Sequence, residues 1–328
     1  MKLGTLLLAN NLVLAPMLQV STSPFRRFCR KFGEIGLVSV PMLYTKRLEN
    51  SPNTVLMDLH KIEEERPISV QLIGSNVNAL KSSIDFLESY KFDVLDINAC
   101  CPSKRAIKAQ EGGYLLKDLD KLKELLDVAV KHSSRPVSLK IRLGFNNSND
   151  IDKLTNFINN SGIEFLTVHG RTVRDRFKDS TFNIDAIKKI KSLVKIPVVG
   201  NGNILNPKIA REFLEFTKVD ALMIGRGSMG NPEIFNQIHQ YLKKGLELIP
   251  KNNVKKMKEL IKLFEHCVNE YLDGNLEIPC STEKYKFMEL KRNLIWLSKS
   301  IQGSTDLRIK ISKIKTLKEL EQIIDSLN

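Results

Sequence analysis

Three stretches of this chain place polar side chains at every second position. Ser138, Lys140 and Arg142 alternate with Leu139 and Ile141; Thr167, His169 and Arg171 alternate with Val168 and Gly170; Asp96 and Asn98 flank Ile97. Successive side chains of an extended strand point to opposite faces, so each set shares one face. An ammonium, an imidazole, an amide and a carboxylate gathered this way can hold an anion, orient a polar ring and move protons. Cys100-Cys101-Pro102 follows directly and adds two thiols. Gln71 sits late in another apolar run, and Pro16-Met17 ends a further one. Two glycine turns complete the set, Gly200-Asn201-Gly202-Asn203 and Gly225-Arg226-Gly227. Bare backbone N–H groups in such turns approach a phosphate closely, and Arg226 adds charge.

Each signal also has a structural reading. Lys140 can be one half of a buried ion pair with Asp96, since interior charges need partners. His169 can be a satisfied interior histidine, and the glycines can serve turns alone. A buried cysteine is usually an inert small hydrophobe. The strand-end position and the adjoining proline set the Cys100-Cys101 pair apart. Lys and Arg residues scattered over helical stretches read as solvated faces.

Eight short β-rich runs carry these residues: Leu12–Met17, Leu37–Met42, Ile68–Ile73, Val94–Ala99, Val137–Leu143, Phe165–Gly170, Ile196–Gly200 and Ala221–Gly225. Helix-like segments separate them. Leu119–Lys131 and Ile184–Val194 show apolar residues at helical spacing, and Asp150–Asn160 does so more weakly. Eight alternating β and α units predict parallel strands closed into a (β/α)₈ TIM barrel. The polar residues then fall at the C-terminal strand ends, where barrels of this kind carry their sites, and the glycine turns follow strands seven and eight, the usual phosphate position. The pattern changes near Gly230. Lys255–Tyr271, Glu283–Ser300 and Leu317–Leu327 read as helices with no strand between them. Pro250 and the Asp273-Gly274-Asn275 turn bracket the first. The expected organisation is a barrel over residues 1–244 and an all-helical domain over 245–328.

The composition agrees. The chain has 328 residues, 42% hydrophobic and 27% charged, enough apolar material for a folded core. Lys and Arg number 51 against 37 Asp and Glu, a net charge of +14. That excess favours an anionic partner, nucleic acid first. Five cysteines without a CxxC pair point to a reducing cytoplasm, with no disulfide scaffold and no metal site. The uncharged stretch between Lys2 and Arg26 is broken by polar residues and prolines, so neither a membrane span nor an export signal is expected. A monomer is the default assembly.

Six segments resemble the tRNA-dihydrouridine synthases: LAPMLQVSTSPFRRFCRKFG (Leu14–Gly33), DINACCPS (Asp96–Ser103), LKIRLGF (Leu139–Phe145), VHGRT (Val168–Thr172), VVGNGNI (Val198–Ile204) and MIGRGSMGNP (Met223–Pro232). LKRNLIWLSKSIQGSTDLRIKI (Leu290–Ile311) is similar to that family's helical RNA-binding domain. The resemblance implies an FMN-bound barrel that reduces the 5,6 double bond of a uridine in the D-loop of tRNA, with NADPH or NADH as reductant. It implies that Pro16, Met17 and Leu18 border the flavin, that Gln71, Lys140 and His169 contact it, and that Asn201, Gly202, Asn203, Gly225 and Arg226 hold its phosphate. It makes Cys101 the catalytic cysteine and Asn98 the group that orients the uracil, and sets Arg171 at an RNA or uracil contact. The chain departs from the family pattern in places: Cys100 stands where a glycine usually precedes the catalytic cysteine, Asn203 where Asp is frequent, and Asn293 where the tail motif often has histidine.

The implied chemistry suits these residues. Reducing uracil needs hydride at C6 and a proton at C5. Reduced FMN supplies the hydride, and Cys101 is the candidate acid. A thiol with an ordinary pKa of about 8.5 is mostly protonated at pH 7. Lys104 and Arg105 follow closely in sequence. Contact with the sulfur would lower its pKa and oppose this role, so they are expected to face RNA phosphates instead. A fixed ammonium at Lys140 would stabilise anionic reduced flavin. Lys284, Lys286, Lys291, Arg292, Lys299, Arg308, Lys310 and Lys313 would give the tail a cationic face for RNA. Two alternatives remain: an FMN barrel acting on a free pyrimidine, similar to dihydroorotate dehydrogenases, and a non-catalytic RNA-binding barrel.

Overall fold

The computed structural model describes residues 1–33, 35–250, 253–274, 280–301 and 303–327. Eleven strands run in chain order: β1 (Lys2–Leu3), β2 (Leu6–Leu7), β3 (Leu12–Leu14), β4 (Val38–Ser39), β5 (Leu43–Tyr44), β6 (Ile68–Ile73), β7 (Val94–Ala99), β8 (Val137–Arg142), β9 (Phe165–His169), β10 (Val198–Asn201) and β11 (Ala221–Ile224). The helices are α1 (Ser23–Arg30), α2 (Thr45–Asn50), α3 (Leu56–Leu59), α4 (Val77–Leu87), α5 (Lys104–Lys108), α6 (Leu119–His132), α7 (Ile151–Asn159), α8 (Ile184–Leu193), α9 (Pro207–Thr217), α10 (Ile234–Lys244), α11 (Val254–Leu272), α12 (Thr282–Leu297), α13 (Ser304–Lys313) and α14 (Leu317–Ser326).

Nine strands form one parallel sheet in the order β3-β11-β10-β9-β8-β7-β6-β4, with β5 also on β6. A parallel bridge between Val13 and Leu37 closes the ring, supported by Leu14 N–H to Leu37 O at 2.9 Å. This is the (β/α)₈ barrel that the eight-fold alternation predicts. Of the predicted second strand, Leu37–Met42, only Val38–Ser39 (β4) forms a strand, and β5 starts one residue past its end. Pro41 lies between them and has no N–H for the ladder. The β1–β2 hairpin, which sequence reasoning did not anticipate, brings Leu3 and Leu8 into a second core cluster with Val13, Val94, Phe165, Val199 and Ala221 from the barrel strands.

The long barrel helices form where the apolar spacing predicts, and their N-caps explain where several begin. Asn76, Asp118, Asn183 and Asn206 each accept a backbone N–H from the first turn. At the far end of the barrel, Gly245 takes φ +67 after α10, a left-handed stop that glycine adopts without steric cost. Beyond it the chain is helical. Asn253, Ser281 and a Thr316–Glu319 capping box start α11, α12 and α14. The predicted tail has three helices; the structure adds α13, whose weak amphipathic pattern hides it. Asn275, the last residue of the predicted turn after α11, lies outside the described residues.

The tail packs on α1 and the loops beside it. Phe28 meets Phe264 edge-on at 5.2 Å, Phe25 meets Trp296 at 6.0 Å, and Tyr271 Oη donates to Met57 O at 3.0 Å. A polar tie crosses the same seam: Glu289 accepts from Thr22 Oγ1 at 3.2 Å and is paired with Arg292. Among the described residues no helix is long and apolar enough to cross a membrane.

Candidate active site

A cavity of about 340 Å³ opens at the C-terminal ends of the strands. It is lined by the predicted Pro16, Met17, Leu18, Gln71, Asn98, Cys101, Lys140, His169, Asn201, Gly202, Asn203, Gly225 and Arg226. Seven barrel strands and their following turns deliver these residues, which span more than 200 positions in sequence. Cys100, Arg142, Met42, Phe177 and Leu205 line it too. Strand alternation already points Arg142 inward; nothing in the VRDRFK loop marks Phe177 as a wall of the cavity.

One hydrogen-bond chain fixes the thiol loop. Ser138 Oγ and Gln71 Nε2 donate to the two oxygens of Asp96 at 2.7 and 2.6 Å. Asn98 Nδ2 donates to Gln71 Oε1 at 2.8 Å. Asn98 Oδ1 then accepts the backbone N–H groups of Cys100 and Cys101, both at 2.9 Å. Burial pushes the Asp96 carboxyl up from its ordinary pKa, while its two donors and Lys140 pull it back. Asp96 therefore serves the chain and does not pair with Lys140. The Lys140 ammonium donates instead to Asn201 Oδ1 at 3.0 Å and to Cys100 Sγ at 3.5 Å.

The two thiols have different neighbours. Cys100 is buried beside the ammonium. Cys101 is half-buried, and its thiol donates to the neutral Ser103 hydroxyl at 3.4 Å. Ser103 also caps α5, which turns Lys104 and Arg105 outward. Both are exposed and neither bonds the Cys101 sulfur; Arg105 lies over the Tyr44 ring at 3.9 Å. Gly113 N–H donates to Cys101 O at 3.0 Å. Any side chain at Gly113 would place its Cβ 2.7 Å from Val173 Cγ2, so this loop closes only on glycine.

His169 is buried, and Nδ1 has no protein partner. Burial lowers its pKa first, and Lys140, Arg142, Arg171 and Arg226 lower it further, so the imidazole is neutral at physiological pH. Arg171 does not reach the cavity. It is 0% exposed and clamps the turn behind it, donating to Lys178 O, Asp179 Oδ1 and Asn203 Oδ1 at 2.7, 3.0 and 2.8 Å. Asn203 sits at φ 53, a left-handed position that Asn tolerates. Arg226 projects from the opposite turn, half-exposed, 3.5 Å from the Asp179 carboxylate.

On the tail, four of the eight predicted cations are tied internally, Arg308 among them: it donates to Ser304 O and Thr305 Oγ1 at 3.4 and 3.2 Å. Lys286 pairs with Glu265 at 2.6 Å, Lys291 donates to the carbonyls of Ser312 and Ile314 at 2.9 and 2.6 Å, and Arg292 pairs with Glu289. Lys284, Lys299, Lys310 and Lys313 are exposed.

A closed parallel barrel with a thiol, an ammonium, a neutral imidazole and a pair of glycine turns converging on one cavity defines an α/β-barrel enzyme site. The sequence model described as "Dihydrouridine synthase (Dus)" matches residues 13–327. The chain is 33% identical over 318 residues to tRNA-dihydrouridine synthase B of Pseudomonas aeruginosa, covering 96% of this chain and 91% of that one. It is 29% identical over 317 residues to a probable tRNA-dihydrouridine synthase of Rickettsia prowazekii, covering 96% and 93%. The chain belongs to the dihydrouridine synthase family. Solved structures share the fold at low identity. A variant of NCR from Zymomonas mobilis aligns with a TM-score of 0.53 and 15% identity over 78% of this chain and 92% of that one. Histamine dehydrogenase from Rhizobium sp. 4-9 aligns at 0.56 and 12%, over 81% and 50%.

Proposed function

We propose that this chain reduces a uridine in the D-loop of tRNA to 5,6-dihydrouridine, with bound FMN and with NADPH or NADH as reductant. The observation that carries the reading is the convergence of Cys101, Lys140, His169 and the two glycine turns on one cavity. The residues fit FMN. The buried, unpartnered His169 Nδ1 asks for a polar ligand atom. Lys140 is a fixed cation on the cavity wall, and Arg226 projects beside turns with bare backbone.

When bound, FMN supplies the hydride for C6 of the uracil. Gln71, Lys140 and His169 would contact its ring or ribityl chain. The Asn201-Gly202-Asn203 turn and Gly225-Arg226 would hold its phosphate, and Pro16–Leu18 would border it. Cys101 then delivers a proton to C5 from its thiol. Asn98 keeps Cys101 in place through its amide and orients the base. The target base has to leave its stack to reach the barrel mouth, while Lys284, Lys299, Lys310 and Lys313 hold phosphates on the tail. Lys104 and Arg105, exposed beside the thiol loop, meet RNA there. Arg171 acts from behind, by fixing Asn203. The reading includes a monomer working in the cytoplasm.

The test counts dihydrouridine by mass spectrometry in unmodified tRNA incubated with protein, FMN and NADPH, using wild type and Cys101→Ala. Two hydrogens added at one mapped D-loop uridine by wild type alone support the reading. Bound FMN with every tRNA uridine unchanged, and turnover of free uracil or dihydroorotate, would replace it with the free-pyrimidine reading.

A further inference from the structure

A second recess opens on the same face of the barrel, outside the flavin cavity. Its volume is about 430 Å³, and Lys117, Phe145, Asn146, Asn147, Asp150 and Lys153 stand around it. Lys117 lies over the Phe145 ring at 4.4 Å, and Tyr114 meets that ring edge-on at 6.0 Å. Lys117, Lys153, Asn146 and Asn147 are exposed. Among the described residues neither lysine has an ion pair with a carboxylate. The floor is firm: Val173 and Arg174 N–H donate to the carbonyls of Gly144 and Phe145 at 2.9 and 3.0 Å.

Its place in the ring matters. The helical tail packs on α1, which follows β3. Round the closed barrel, β8 stands opposite β3. The recess lies between the loop that follows β8 and the segment that ends the thiol loop, Gly112–Lys117. A polyanion gripped by the tail and feeding one base into the central cavity continues across the mouth to this far rim. There it meets an aromatic face, two ammonium groups without a carboxylate partner and a set of amide and carboxylate edges. Aromatic faces stack unpaired bases, and amides and carboxylates read base edges.

We infer that this recess is a second tRNA-binding site, taking an unpaired nucleotide near the target uridine. It rests on the tRNA reading above. Lys117 moves from the Phe145 ring to a phosphate and frees the ring for the base. Lys153 takes a neighbouring phosphate. Asn146, Asn147 and Asp150 face the base edge. Tail and recess then hold the RNA on both sides of the flipped uridine, which fixes the uridine that enters.

The experiment measures tRNA affinity at several salt concentrations for wild type, Lys117→Gln/Lys153→Gln and Phe145→Leu, with FMN content and circular dichroism as folding controls. The lysine pair removes two phosphate contacts, so the slope of log affinity against log salt should shrink by about 1.5. Phe145→Leu should weaken binding roughly tenfold through lost stacking. Affinity and salt slope equal to wild type in both variants, while wild type still forms dihydrouridine in tRNA, overturns this inference alone. A wild type that neither binds tRNA nor reduces its uridines overturns the inference and the functional reading together. If Phe145→Leu loses its fold, the surface lysine pair decides.

Discussion

Lys140→Met tests what the buried ammonium does. Lys140 is 6% exposed and is held by Asn201 Oδ1 at 3.0 Å and Cys100 Sγ at 3.5 Å. Methionine keeps the unbranched apolar stem and removes the charge. A flavin whose reduced, anionic edge came to about 4 Å from such an ammonium would gain about 4 kcal/mol at an effective dielectric of about 20. For a two-electron couple, 30 mV corresponds to about 1.4 kcal/mol, so the FMN midpoint should fall by roughly 90 mV. Asn201 keeps its own bond to Met223 O at 2.7 Å, so the turn should survive. The assay is a dye-coupled reductive titration of the purified flavoprotein, joined to rapid-mixing measurement of flavin reduction by NADPH. Binding of tRNA, measured in parallel, should not change, because the ammonium faces the interior. A midpoint within about 20 mV of wild type, under about 1 kcal/mol, would refute the electrostatic argument.

Three further outcomes are expected. Cys101→Ala should lower dihydrouridine formation by about 10²–10⁴-fold while flavin reduction by NADPH stays near wild type, whereas Cys100→Gly should keep activity; equal losses in both, read by mass spectrometry of tRNA, would break the assignment. His169 has a lowered folded pKa, so the unfolded chain takes up a proton that the folded chain refuses. Stability is therefore lost as pH falls below about 6.5, by about 1.4 kcal/mol at pH 5.5, and His169→Asn should remove that part of the acid slope in urea unfolding. Asp179, 78% exposed, sets a carboxylate beside Arg226 where a phosphate should bind. Asp179→Asn should tighten FMN binding by a few-fold at low salt and less at high salt, in keeping with about 0.2–1 kcal/mol for exposed charge pairs; weaker FMN binding in a fluorescence titration would count against a phosphate at Arg226.

The barrel and the inner wall of its cavity were legible because both rest on period-two alternation and strand-end turns. Lys140 and Asn98 could be placed from their neighbours in sequence alone. Arg171 shows the limit. Alternation puts it on the same strand face as His169, but it lies two residues beyond the end of β9, where the chain turns and period-two geometry lapses. Its guanidinium goes to Lys178 O, Asp179 and Asn203, contacts set by how two loops fold on each other. Phe177 was illegible for the same reason: it is 55% exposed in a loop and becomes a wall only when that loop lies across Arg142 at 5.2 Å. The tail was legible as helical, but its cations were not separable. Lys291 looks like Lys284 in sequence, and only the end of α13 shows that Lys291 is occupied with carbonyls.

The adjacent thiols stand in different surroundings, and the proposed acid role suits only one of them. An acid needs its proton, so a neighbouring cation works against it and a neutral hydroxyl does not. Cys100 Sγ receives the Lys140 ammonium; Cys101 Sγ faces the Ser103 hydroxyl, and the two cations that follow it are turned outward by the helix that Ser103 caps. One residue thus does two things for the thiol: Ser103 offers an uncharged partner and starts the helix that keeps charge away. The chain from Ser138 through Asp96, Gln71 and Asn98 fixes the amides of both cysteines from strands β6, β7 and β8, so the barrel itself sets where the thiols stand. Ser103→Ala should therefore cost more than a hydrogen bond to sulfur. With the cap gone, α5 frays and Lys104 and Arg105 gain access to the thiol. The alkylation rate of Cys101 at pH 7 should then rise even as uridine reduction falls. A Ser103→Ala variant that loses activity with no faster alkylation would mean that the hydroxyl matters only as a contact.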